Sequence, residues 1–272
     1  MNFLSLFKRK ILYKIKKKIN IDIDGVHKES LDELFHYYGS DKADIFKITQ
    51  NRGHGFSKFY SQHLKDLKKK KLNILEIGSY AGASACAFAK YFPESTVYCF
   101  DINISKFEYE SKSIKVNGLD INNKKKLDKV LNKLNLNMED NSFDLIIDDG
   151  SHYLGDILFS LKFFFKYLKK NGIYVIEDFK HPNYYEYNKN VDDILIDKLL
   201  QNLMEKNFFK SNIIYKENQK YLFEDILEFD EQPTDTVRLS AATIQELFRS
   251  TNYNLNDVRK TKLVKPVSLS LL

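Results

Sequence analysis

Along the chain, short apolar β-branched runs alternate with longer segments whose apolar residues recur at helical spacing. The runs LNILEI (72–77), TVYCFD (96–101), FDLIID (143–148) and IYVIED (173–178), with a weaker one near 113–116, predict strands. Between them, 83–92 predicts an Ala-rich helix stopped by Pro93, and 123–135 and 154–169 predict two more. Residues 29–37 and 56–68 predict helices ahead of the first strand. Phe3, Leu4, Phe7, Ile11, Leu12 and Ile15 recur at helical intervals near the N-terminus. Beyond 185 the pattern predicts a helix over 191–206, strands at 211–215 and 235–239, and a helix over 241–250 opened by Ser240. Strands that are apolar throughout and separated by helices imply a parallel sheet covered on both faces. The expected fold class is α/β, a doubly wound Rossmann-like sheet with an N-terminal helical segment.

Composition leaves this picture in place. The 272 residues are 43% hydrophobic and 29% charged, with 4 Pro and 10 Gly, which fits a soluble globular chain and excludes collagen-like architectures. Two cysteines, Cys86 and Cys99, cannot build a disulfide framework and fit a reducing compartment, so the expected location is cytoplasmic. The net charge of +6 permits weak attraction to polyanions without demanding it. Much of it comes from Lys8 to Lys18, which carry seven basic residues and no acid. This segment is not a signal peptide, because the apolar stretch ahead of Lys8 is short and the charges follow it. A basic amphipathic helix allows peripheral contact with a membrane surface. A solvated helix packed on its own domain, or on a partner subunit in a homo-oligomer, is the stronger expectation.

Candidate chemistry begins in LEIGSYAGASACAFAKYFPESTVYCFDI, 75–102. Glu76 ends the first strand, and Gly78 and Gly82 let the chain turn and approach a ligand. Asp101, nineteen residues after Gly82, ends the next strand where a carboxylate accepts both ribose hydroxyls. The glycine spacing is not the G-x-G-x-x-G that sets a helix N-terminus against a pyrophosphate. A nucleoside without a diphosphate, S-adenosylmethionine, is therefore favoured over a dinucleotide. Ser79, Ser84 and Asp148 join this cofactor set. The plainer reading, glycines that merely turn a strand into a helix, leaves Asp101 unexplained. Asp120, after Asn117 and Gly118, suits the adenine end and a plain turn equally.

FDLIIDDGSH (143–152) and GIYVIEDF (172–179) form the second constellation. Neighbouring parallel strands lie about 4.8 Å apart, so Asp148 and Asp149 are expected beside Glu177 and Asp178. Crowded carboxylates repel unless protonated, hydrogen-bonded or bridged, and Mg²⁺ is the simplest bridge. Glu177 and Asp178 reach one ion only if the strand has already ended there. His152 would overlook the same ion. Each residue alone suits a helix cap or a satisfied loop histidine just as well.

The pairing of IDDGSH with IEDF, together with GSDK (39–42), HGFSKFY (54–60) and YFPESTVYCFDI, resembles the metal-dependent sugar O-methyltransferases of macrolide biosynthesis, the macrocin and mycinamicin type, and their cephalosporin-hydroxylase-like relatives. The E-x-G-x-x-x-G segment resembles the first motif of class I methyltransferases. The resemblance spans about 38–182 and departs after 185. It implies a cation held by Asp149, Glu177 and Asp178, with His152 as the base that takes a sugar hydroxyl proton. It also implies an N-terminal segment and lid over 1–70 and a methyltransferase domain over 71–272, divergent from about 186. In the resembling enzymes GSDK and HGFSKFY lie over cofactor and acceptor, so Lys42, His54 and Tyr60 either contact ligands or form a structural lid.

The implied activity is Mg²⁺- and S-adenosylmethionine-dependent methylation of a sugar hydroxyl, on a nucleotide-sugar, polysaccharide or natural-product precursor. Other classes fit less well. Amino-group methylation of nucleic acid would need the N/D-P-P-Y/F motif, which is absent, and no aromatic-basic platform stands out, so no nucleic-acid partner is expected. A nicotinamide oxidoreductase is opposed by the glycine spacing, and a non-catalytic nucleoside-binding module requires carboxylates that hold no metal.

Overall fold

The computed structural model describes residues 3–138, 142–179, 191–231 and 237–241. Its centre is a seven-stranded sheet: β1 (Asn73–Ile77), β2 (Thr96–Asp101), β3 (Ile114–Gly118), β4 (Phe143–Asp148), β5 (Leu168–Ile176), β6 (Ile226–Glu231) and β7 (Val237–Ala241), in the order β6-β7-β5-β4-β1-β2-β3. The first five strands are parallel, and β7 pairs antiparallel with both β5 and β6. Order reverses between β1 and β4, where an open sheet leaves a crevice at its carboxyl edge.

Eight helices surround the sheet among the described residues: α1 (Phe3–Ile15), α2 (Leu31–Tyr38), α3 (Ser57–Leu64), α4 (Ala83–Tyr91), α5 (Lys124–Lys133), α6 (Leu154–Phe164), α7 (Ile196–Glu205) and α8 (Lys216–Asp225). Strand residues alternate between two buried layers. Leu75, Ile77, Ile146, Tyr174 and Ile176 pack with Leu127, Leu158, Leu161 and Leu199 from α5, α6 and α7. Ile74, Leu145, Ile147 and Val175 pack with Leu34, Phe35, Tyr60 and Phe88 from α2, α3 and α4. The expected doubly wound fold is thus present, with helices on both faces.

Local chemistry fixes the elements that reach the site. A capping box between Ser30 and Glu33 starts α2, and Gly39, at φ 82°, ends it in the left-handed conformation that releases the GSDK segment. Pro93 stands just past the Phe92 cap of α4, where its ring prevents the helix from continuing.

Several boundaries differ from expectation. β5 ends at Ile176, so Glu177 and Asp178 lie beyond it, and it begins at Leu168, where a helix had been expected. The helix from 154 stops at Phe164 and tightens into a 3₁₀ turn over Phe165–Tyr167. No strand forms at 211–215, because the Ser211 hydroxyl accepts the Ile213 and Ile214 amides and folds the run into a turn. The helix expected over 191–206 starts at Ile196, and the strand expected at 235–239 is β7. The helix expected over 241–250 lies outside the described residues. No described helix is long and apolar enough to cross a membrane.

Candidate active site

Register places the acids. Ile77 pairs with Asp148, and Asp148 with Ile176, so three adjacent parallel strands end level. Two backbone bonds extend the alignment past the strand ends: Asp149 N–H donates to the Ile77 carbonyl, and Glu177 N–H to the Asp148 carbonyl, each at 2.9 Å. Asp149, His152 and Asp178 each offer one ligand atom, all within 4.8 Å of one another. His152 Nε2 lies 3.9 Å from Asp149 Oδ1, and His54 Nδ1 lies 3.9 Å from Asp178 Oδ2. His152 (φ 59°) and Asp178 (φ 52°) occupy left-handed backbone, as does Tyr80 (φ 41°) after β1. Such positions are costly for non-glycine residues and cluster where geometry serves a site.

Glu177 takes another direction. It is buried, accepting from the Lys42 ammonium on Oε2 and from the Tyr60 hydroxyl on Oε1. Lys42 also donates to Asp149 Oδ2 at 2.6 Å and is itself 2% exposed. The GSDK and HGFSKFY segments are therefore stitched to the sheet edge through carboxylates. Sequence spacing gives no sign of this, since 107 and 135 residues separate Lys42 from its two partners.

Burial opposes the charge on Lys42, but Asp149, Glu177 and Glu76 outweigh it and hold the ammonium well above the ordinary lysine range. One ammonium cannot neutralise the buried Glu76 and Glu177 together with the half-buried Asp149. Burial accordingly pushes Asp149 above its ordinary range and Glu177 well above it, with Lys42 opposing. A divalent cation at Asp149 and Asp178 would relieve the excess negative charge. The Asp149 and Asp178 carboxylates supply the oxygen ligands a hard cation takes, and with His152 they form, among the described residues, the one group of acids and histidines gathered closely enough to bind an ion.

The glycine turn adjoins this cluster. A Cβ on Gly78 (φ 87°) would lie 1.8 Å from the Asp149 carbonyl oxygen, and one on Gly82 (φ 88°) would lie 2.5 Å from the Phe107 ring. Both glycines are demanded by the protein's own packing as well as by any ligand. Asp101 accepts the Tyr80 amide at 2.8 Å and the Asn103 amide at 2.5 Å, one on each oxygen, which fixes its carboxylate at the end of β2. Ser79 donates to the Glu76 carbonyl at 3.3 Å, and Ser84 donates to Glu76 Oε1. Asp120 accepts the Asn122 amide at 3.1 Å, closing a turn after β3. Glu76 Oε2 and Asp148 Oδ2 are buried without a hydrogen-bond partner. Unsatisfied buried acceptors at the crevice fit a cofactor that brings donors.

Burial pushes both Glu76 and Asp148 up to about 7. An acid whose pKa is raised on folding binds its proton more tightly in the native state. For Glu76 its contribution to stability is present at low pH and is lost as pH rises from the ordinary 4.5 through about 7. Urea unfolding of the ligand-free chain should show stability falling across that window. Glu76→Gln should reduce the fall and exceed the parent at pH 8 by on the order of 2 kcal/mol. Superimposable pH profiles for parent and variant would refute the assignment.

Three comparisons place the chain. It is 28% identical over 161 residues to the mycinamicin VI 2''-O-methyltransferase of Micromonospora griseorubida, a match covering 57% of this chain and 37% of that protein. With the L-olivosyl-oleandolide 3-O-methyltransferase of Streptomyces antibioticus it shares 32% over 155 residues, 54% of this chain and 36% of that protein. These matches thus span little more than a third of each relative's length. The structure of MycE methyltransferase from the mycinamycin biosynthetic pathway, in complex with Mg and SAH, superposes with a TM-score of 0.61 at 22% identity, covering 80% of this chain and 56% of that one. That likeness shows a shared fold. The family described as Methyltransferase domain matches residues 68–231, well over half of the chain, and the chain belongs to that family.

Proposed function

We propose that the chain is an S-adenosylmethionine-dependent, divalent-cation-dependent O-methyltransferase acting on a sugar hydroxyl. The observation that carries this reading is the convergence of Asp149, Asp178 and His152 at the crevice beside the glycine turn. The relatives named above support it, being sugar O-methyltransferases of macrolide pathways. When bound, the cofactor supplies an electrophilic methyl group, and Mg²⁺ supplies positive charge that favours loss of a hydroxyl proton.

The chain's own residues do the rest. Asp101, fixed by two backbone amides, presents its remaining lone pairs to the ribose hydroxyls. Glu76 and Asp148 offer acceptors to donors of the cofactor. Asp149 and Asp178 would hold the cation, while Lys42 and Tyr60 keep Glu177 in place behind them. His152 takes the acceptor proton, and Asp149 Oδ1, 3.9 Å from Nε2, stabilises the imidazolium that results. Holding two substrates in line supplies much of the rate. The acceptor is a small sugar or nucleotide-sugar, and the reaction belongs to the cytoplasm.

Calorimetry with S-adenosylmethionine, with and without Mg²⁺, followed by methyl-transfer assays on a panel of nucleotide-sugars, tests the reading. Tight binding of reduced nicotinamide cofactor, or cofactor binding with no transfer to any sugar, would count against it. Asp101→Ala removes charge-assisted hydrogen bonds worth about 1.5–3 kcal/mol, so cofactor affinity should fall ten-fold or more. Since Asp101 also anchors two amides, the thermal midpoint should be measured alongside. Unchanged affinity in a folded variant would place the ribose elsewhere.

A further inference from the structure

We propose that α1 seats this chain on an anionic membrane surface. The helix has two apolar faces. Leu6, buried, and Tyr13, half-buried and set edge-on to Phe107, lie on the face turned to the domain. Arg9 Nη1 donates to the Ile102 carbonyl at 3.0 Å, and Lys16 pairs with Glu108 at 3.0 Å, so the helix is fastened beside the strand end that carries Asp101. Phe7, Ile11 and Ile15 recur every four residues and form a second stripe, roughly 150° round the helix from the first. They are 55%, 44% and 72% exposed. Nothing described covers this stripe.

Charge selects the occupant. The segment from Lys8 to Lys18 holds seven basic residues and no acid, and Lys8, Lys14 and Lys17 are exposed on α1 and just past its end. A second copy placed on the stripe would bring two such sets together, at a repulsive cost. A nucleic acid would engage the lysines and leave three large apolar side chains in water. An anionic lipid surface satisfies both features, since acyl chains receive the apolar stripe while headgroups receive the lysines. α1 spans 13 residues, too few to cross a bilayer, which suits a helix lying in the interface.

The test is sedimentation of the full chain with phosphatidylcholine vesicles, with and without phosphatidylglycerol. The parent should partition at least about ten-fold more strongly onto the anionic vesicles, and added salt should weaken this. Ile11→Ser with Ile15→Ser, and separately Lys8→Glu with Lys14→Glu, should each cut binding about ten-fold with an unchanged thermal midpoint. Failure of the parent to bind anionic vesicles would overturn the proposal, as would isoleucine variants that bind as the parent does. A parent dimer that dissociates in the isoleucine variants would give the stripe to a second copy. RNA binding that equals vesicle binding and survives those variants would give the surface to nucleic acid.

Discussion

Replacing His152 by alanine should lower kcat by roughly 10²–10⁴-fold, the usual worth of a positioned general base, with cofactor affinity nearly unchanged. A sugar hydroxyl is a poor nucleophile at neutral pH, and a cation polarises it without accepting its proton. His152 stands 3.9 Å from Asp149 and within the same cluster as Asp178. Its backbone lies at φ 59°, where alanine is strained, so His152→Asn supplies the control. Asparagine tolerates that conformation and keeps the loop while removing the base. Near-parental turnover by His152→Asn on the true acceptor would make the histidine a loop residue. Its neighbour across the cluster, His54, would then be the next base to test.

Removing the cation should be as damaging. Chelation should reduce methyl transfer by roughly 10³-fold or more, since Lewis-acid stabilisation is worth several kcal/mol, and Mg²⁺ should restore it. Cofactor binding should survive, because the residues proposed to hold the cofactor, Gly78, Gly82 and Asp101, lie in the turn between β1 and α4 and at the end of β2. Asp149→Asn should mimic the chelator. Its fold should persist, since Lys42 retains Glu177 as partner. Full turnover in excess chelator, with elemental analysis finding no metal, would contradict the role given to Asp149 and Asp178.

What the sequence made legible follows from the range of the forces involved. Apolar β-branched runs declared β1, β2, β4 and β5 because those strands are buried on both faces. β6, ILEFDE, escaped notice because acids interrupt its run and it sits at the sheet edge. The 211–215 segment misled in the opposite sense, being apolar but held in a turn by one serine. The meeting of Asp149 with Asp178 could be foreseen, since adjacent parallel strands bring their ends together. The turn of Glu177 toward Lys42 and Tyr60 could not, because it depends on how the lid docks. The sequence leaves Lys42 and Tyr60 as ligand contacts or lid; the structure sets both against carboxylates. The glycines were recognised as turn-makers, yet the crowding of Gly78 against Asp149 comes only from three-dimensional packing.

The stitching of the lid bears on what counts as the smallest autonomous unit. A chain trimmed to begin at Lys68, where the family match begins, would lose both donors to Glu177 and leave a buried acid with no countercharge. It would also strip Leu34, Phe35 and Tyr60 from the layer that covers Phe88 and Val175, exposing one face of the sheet. Residues 31–64 thus complete the packing of one sheet face, and a chain that begins at Lys68 should unfold at a lower temperature than the full chain.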